Sequence, residues 1–126
     1  MSVGSASYQY RCLVVAWLDG DTVDLKVDLG FKLTFDLRCR LNGINCPEVH
    51  SKSVAEKKRG LAAKAFSESL APPDSVVTVQ SHKAGGLEKF GRWLADVTIA
   101  DGRVVNAELV KAKHAIAWDG QGVKPI

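Results

Sequence analysis

Three short segments of this 126-residue chain carry side chains suited to phosphate chemistry. They are Asp19-Gly20-Asp21-Thr22, the run from Arg40 to Glu48 (Arg-Leu-Asn-Gly-Ile-Asn-Cys-Pro-Glu), and Phe90-Gly91-Arg92. Hydrolysis of a phosphodiester requires an activated water, neutralisation of charge on the phosphoryl oxygens and an oriented leaving group. A hard cation held by the Asp21 carboxylate and the Asn45 amide oxygen would clamp a phosphate. Glu48 has the chemistry of a general base, an effect of roughly 10²–10⁴-fold in rate. Arg40 and Arg92 are suited to gripping phosphate oxygens bidentately, a geometry that lysine matches less well.

Each segment also has a plainer reading. Asp-Gly-Asp suits an ordinary hairpin turn, Arg40 continues a polar strand face, Glu48 follows a proline in a loop, and Gly91-Arg92 fits a turn with a surface charge. Singly they are weak signals. Their order and spacing make the set specific.

The elements that must position these groups are mostly strands. Tyr8 to Leu18 is rich in β-formers and ends at the Asp19-Gly20-Asp21 turn signal. Thr22 to Asp28 alternates, with Val23, Leu25 and Val27 on one face. After a turn at Leu29-Gly30, Phe31, Leu33, Phe35, Leu37, Cys39 and Leu41 face one way, while Lys32, Thr34, Asp36, Arg38 and Arg40 face the other. These three strands form an antiparallel meander that must curl or be covered. Val76 to Gln80 and Trp93 to Ile99 read as two further strands.

Between them lies a helix, with Leu61, Ala62, Ala65, Phe66 and Leu70 at helical spacing and Pro72-Pro73 as its stop. Ser53 and Glu56 have the spacing of a capping box, but Gly60 costs about 1 kcal/mol inside a helix. The start is therefore expected near Lys57 to Gly60, after a mobile loop from Val49 to Glu56. A shorter helix is expected over Asn106 to Lys113, capped by Asn106 with Glu108 in its first turn. Five strands with a helix between the third and fourth match an α+β OB-fold barrel with two flanking helices.

Composition permits this fold and narrows the setting. Hydrophobic residues make up 46% and charged residues 25%, enough apolar material for one core. One domain over residues 1–126 is expected, with loose tails at 1–7 and 119–126. The net charge of +3 is compatible with an anionic partner. Cys12, Cys39 and Cys46 are an odd number without metal-type spacing and read as reduced thiols. No apolar run has the length of a signal-peptide core or a membrane span, so a cytoplasmic or host-intracellular protein without a membrane partner is expected, with a monomer as the default.

Four blocks resemble the staphylococcal nuclease family in order and spacing: Asp-Gly-Asp-Thr, Arg-Leu-x-Gly-Ile-x-x-Pro-Glu, Phe-Gly-Arg-x-Leu-Ala and Asp-Gly-x-x-Val-Asn-x-x-Leu-Val. The resemblance runs from about Arg11 to Ala117. It implies an OB-fold barrel, Ca²⁺ dependence and cleavage of DNA or RNA at the bond to the 5′ oxygen, leaving 3′-phosphates. By position, Arg40 and Arg92 resemble the two catalytic arginines and Glu48 the catalytic glutamate. Asp21 and the carbonyl of Cys46 resemble calcium ligands, and Asp19 resembles the carboxylate that supports the metal site from behind. Three departures accompany this match. Asn45 stands where a second ligating Asp is usual, Cys46 where Thr is common, and the family's third helix is expected to be absent or vestigial.

Lys52, Lys57, Lys58, Arg59 and Lys64 form a basic stretch that is either a solvated face or an arm for the nucleic-acid backbone. Phe90 suits either stacking on a base or the core. His50, His82 and His114 lack zinc spacing. Trp17, Trp93 and Trp118 read as core or rim packing, and Lys113 sits at a helix end where Gly would be comfortable. Two functions are thus in view, a Ca²⁺-dependent nuclease and a barrel that binds nucleic acid or protein without cutting. Asn45 leans toward the second; Arg40, Glu48, Arg92 and Asp21 together lean more strongly toward the first. A barrel binding oligosaccharide is a third reading, and it leaves the arginines unexplained.

Overall fold

The computed structural model describes residues 8–82 and 93–118. Five strands close into a barrel in the order β1-β2-β3-β6-β5, where β1 is Gln9–Asp19, β2 Thr22–Asp28, β3 Thr34–Leu41, β5 Val76–Ser81 and β6 Trp93–Thr98. All neighbours are antiparallel except β3 and β6, which run parallel over Cys39–Leu41 and Trp93–Ala95. Two-residue strands β4 (Ile44–Asn45) and β7 (Ile116–Ala117) pair beside the barrel. Helix α1 spans Val54–Leu70 and α2 spans Val105–Lys111. This is the α+β OB-type barrel with two helices expected from the strand pattern.

The alternating strands bury one face as their periodicity requires: Cys12, Val14, Val23, Leu25, Val27, Cys39, Leu41, Val77, Val79 and Val97 fill the barrel. Trp17 joins them and donates its indole N–H to the Ala71 carbonyl at 2.8 Å, which satisfies its polar atom within the core. All three cysteines are free and buried. Burial, with Asp28 nearby, pushes the Cys12 thiol up to about 11; burial, then Cys12 and Asp24, pushes Cys39 up to about 12.

Three expectations change. The third strand begins at Thr34, not Phe31, because Gly30, Phe31 and Lys32 take left-handed backbone angles (φ 77°, 54° and 65°) in the preceding turn. Phe31 is 97% exposed there; of that apolar run Cys39 and Leu41 are buried in the core, and Leu37 packs against it half-buried. Helix α1 begins at Val54, with Ser53 as its cap: Ser53 Oγ accepts from the Glu56 N–H at 3.3 Å. Its buried face is Gly60, Ala63 and Ser67, and Leu61 is half exposed. Asn106 is no cap either. It lies one residue inside α2, buried, where its amide donates to the Asn42 and Ala95 carbonyls and its oxygen accepts from Val97 N–H.

Small residues let α1 sit close to the barrel. A Cβ on Gly20 would lie 2.8 Å from Ala63 Cβ, and one on Gly60 would lie 2.6 Å from the Glu48 carbonyl. Ser67 Oγ donates to the Gly20 carbonyl at 2.7 Å. The glycine that appeared to be a cost to the helix is the contact that joins it to the Glu48 loop.

Candidate functional site

The first hairpin and the end of β3 meet because Thr22 pairs directly with Arg40 across the β2–β3 ladder. A register irregularity between Trp17 and Asp19 turns the chain into the hairpin, and the Asp21 carbonyl accepts from the Leu41 N–H at 2.8 Å. Gly43, with φ 79°, then reverses the chain after β3. The β4–β7 pairing fixes Asn45 opposite Ile116.

Asp19 and Asp21 brace the loop that carries Glu48 at both ends. Asp21 Oδ2 accepts from the Cys46 N–H at 2.9 Å, and Asp19 Oδ1 accepts from the Val49 N–H at 3.0 Å. Glu56, from the first turn of α1, accepts the Glu48 N–H through Oε2 at 3.3 Å. The absent Cβ of Gly60 completes this cradle. Val49 is buried and residues from Val54 are helical, so the segment is not the mobile loop expected over Val49 to Glu56. The Glu48 side chain itself is exposed.

Arg40 is only 8% exposed, which corrects its reading as a solvated strand charge. One terminal nitrogen donates to the Ile44 carbonyl at 2.9 Å and to Asn45 Oδ1 at 3.4 Å, and it lies 3.8 Å from Asp21 Oδ2. The Trp118 ring covers the guanidinium at 5.2 Å, and the backbone N–H of Trp118 donates to the Gly43 carbonyl at 2.9 Å. Asp21, Arg40 and Asn45 thus form a buried polar cluster. The burial of this guanidinium is offset in part by the contacts of that one nitrogen and by the Trp118 ring on one face.

A cavity of about 700 Å³ opens beside this cluster. Asn45, Cys46 and Glu48 line one side, Arg59 another, and Lys113 and His114 a third. Lys52 also lines it, whereas Lys57 and Lys58 are exposed on α1 away from it. Arg92 and Phe90 lie outside the described residues.

The structure therefore brings together Asp19, Asp21, Arg40, Asn45, Cys46 and Glu48, all anticipated from the sequence. Sequence reasoning missed Trp118 as the cover of Arg40, Glu56 as a brace, and Arg59 and Lys113 as cavity walls. The signal for Glu56 was present in its capping-box spacing with Ser53. The others depend on contacts distant in sequence.

The chain falls in the class of closed OB-type α+β barrels, here with a buried arginine–carboxylate cluster at the end of β3. Within that class the match is specific: the model of the staphylococcal nuclease homologue family matches residues 38–123, and the chain belongs to that family. This makes it a nuclease-like or nucleic-acid-binding domain. No curated protein matches the chain. No helix among the described residues is long and apolar enough to cross a membrane.

Proposed function

We propose that the protein is a Ca²⁺-assisted phosphodiesterase acting on DNA or RNA, with Arg40, Glu48 and Arg92 as its catalytic groups. The observation that carries this is the buried cluster of Arg40, Asp21 and Asn45 beside an exposed glutamate held by a braced loop. A domain that only packs a barrel has no use for such an arrangement, because burying charge costs stability.

Among the described residues no three His, Cys, Asp or Glu side chains gather as a metal-ligand set. The available donors are nevertheless hard oxygens of the type Ca²⁺ prefers: the Asp21 carboxylate, the Asn45 amide oxygen and the Cys46 carbonyl. They fit the ion in kind and supply one formal negative charge, so weak binding is expected. When bound, Ca²⁺ would offset charge on the phosphoryl oxygens.

The chain's own groups supply the rest. Water attacks phosphorus and gives its proton to Glu48, directly or through a further water, while the bond to the 5′ oxygen breaks. Arg40 and Arg92 stabilise the charge that develops on the phosphoryl oxygens. Asp19 and Asp21 keep Glu48 in position by holding both ends of its loop.

The second reading is a barrel that binds nucleic acid without cutting. It draws on Asn45, whose oxygen accepts from Arg40 and whose neutrality weakens the cation site. Cleavage of a labelled single-stranded DNA oligonucleotide with Ca²⁺, with Mg²⁺ and with EDTA separates the two. Ca²⁺-dependent cutting that Glu48→Gln abolishes supports the enzyme. Binding without cutting in any metal supports the second reading.

A further inference from the structure

The cavity beside Glu48 has a charge pattern that the catalytic reading leaves unused. Three cations from separate parts of the chain line it: Lys52 from the loop, Arg59 from α1 and Lys113 from the turn after α2. None of the three makes an ion pair among the described residues, in contrast to Lys26, Arg38, Arg40 and Arg103. His50 adds a titratable ring, and the opposing carboxylates are Glu48 and Glu56, the latter accepting a backbone N–H of the Glu48 loop. The volume of about 700 Å³ falls within the ~300–1,000 Å³ range of small-molecule sites.

Lys113 supplies an independent observation. Its φ of 65° is the left-handed conformation that ends many helices, a position glycine fills without strain. A lysine there is held at a cost to folding, and the residue lies in the cavity wall. Strain retained at such a place has a ready explanation if the side chain serves a ligand.

We infer that this cavity is a subsite for a backbone phosphate of the nucleic-acid strand flanking the scissile bond, gripped by Arg59 and Lys113 with Lys52 at its rim. The inference rests on nucleic acid being the ligand and does not require cutting. The strand then lies across the Glu48 loop, with the reacting phosphate at Arg40 and a neighbouring phosphate in the cavity.

The test is fluorescence-anisotropy binding of a labelled single-stranded DNA oligonucleotide in EDTA, across a salt series, with thermal melting of the same samples. Lys113→Gly is expected to raise Tm, because strain is relieved, while it weakens binding and lowers the salt slope by about 0.7, one single-strand phosphate contact. Arg59→Ala should lower the slope by a similar amount, and Arg11→Ala, on β1 away from the cavity, should leave it unchanged. A merely structural Lys113 would not yield a more stable protein that binds worse. Lys113→Gly and Arg59→Ala that both bind with wild-type affinity and slope would overturn the subsite alone. Failure of the wild type to bind any oligonucleotide would overturn the nucleic-acid reading and the subsite with it. Binding that inorganic phosphate displaces at equal concentration would replace the strand with a free anion and likewise overturn it.

Discussion

Arg38 and Arg40 stand two residues apart on one strand and one nominal face, yet they live in different solvents. Arg38 side chain is half exposed and forms a two-point ion pair with Asp24, at 2.7 and 3.1 Å, across the β2–β3 ladder. Arg40 is buried under Trp118, with Ile44, Asn45 and Asp21 around its guanidinium. The first pair is better formed geometrically and worth less, since exposed ion pairs contribute about 0–1 kcal/mol. The second is a looser contact in a drier place, where an anion arriving at the guanidinium meets less competition from water. The difference comes from what covers the polar face of β3: at Arg38 it is open to solvent, while at Arg40 it lies against Ile44 and Asn45 of β4 and beneath Trp118.

The sharpest way to break this contrast is to exchange the roles. Arg40→Ala or Glu48→Gln is expected to lower the cleavage rate at least roughly a hundredfold, on the magnitudes of lost electrostatic and general-base catalysis. Arg38→Ala should change the rate less than about twofold, as a surface charge with no part in the chemistry. Equal losses from Arg38 and Arg40 in single-turnover assays would remove the distinction.

Next in size is the support of the loop. Gly60→Ala forces a methyl against the Glu48 carbonyl and should cost about 1–3 kcal/mol of stability, as overpacking does. Glycine at position 30 offers the opposite case at the exposed end, where a Cβ would meet nothing within 4 Å and only the backbone angle (φ 77°) opposes substitution. Urea melts of both alanine variants, with cleavage rates, distinguish crowding at the site from turn strain. A Gly60→Ala protein of wild-type stability and rate would show that the close approach is dispensable.

Asn45→Asp restores a second carboxylate beside Asp21 and should lower the Ca²⁺ concentration for half-maximal cleavage by about tenfold, because ligand charge tunes calcium affinity. An unchanged calcium titration would show that Asn45 is no ligand.

The smallest effect concerns the barrel interior, on the opposite face of β3 from both arginines. Cys12 and Cys39 ionise at about 11 and about 12 in the folded protein, against an ordinary 9.0. A raised folded value favours the folded state below the ordinary pKa, and that advantage is lost as pH climbs from about 9 toward 12. Tm should therefore fall over this window, and Cys12→Ala with Cys39→Val should flatten the fall once their lower baseline stability is subtracted. A slope identical to wild type would assign the alkaline loss to other groups.

Much of the molecule was legible in one dimension. β-former content in β1 and alternation in β2 and the end of β3 pointed to the barrel, because side-chain direction in a strand follows position alone. Asp19, Asp21, Asn45 and Glu48 stood out through their order and spacing as a set, since each alone suits an ordinary turn or loop. Helix α1 was harder: its buried face is Gly60, Ala63 and Ser67, too small and polar for hydrophobic periodicity to register. Arg40 was marked for phosphate chemistry by its spacing, but its burial was not legible, because its immediate neighbours alternate as a polar strand face should; its cover comes from residue 118, far along the chain.

By itself the sequence determined which residues alternate, where the chain turns and which chemical groups were available, since each depends on neighbours within a few positions. Only the tertiary structure decided which of two similar arginines is dry, why Gly60 is a glycine, and that Arg59 and Lys113 share a cavity with Glu48. Those outcomes depend on barrel closure, on α1 packing against β1 and on Trp118 returning to cover Arg40. The burial of a group is set by what arrives from elsewhere, and no local pattern encodes it.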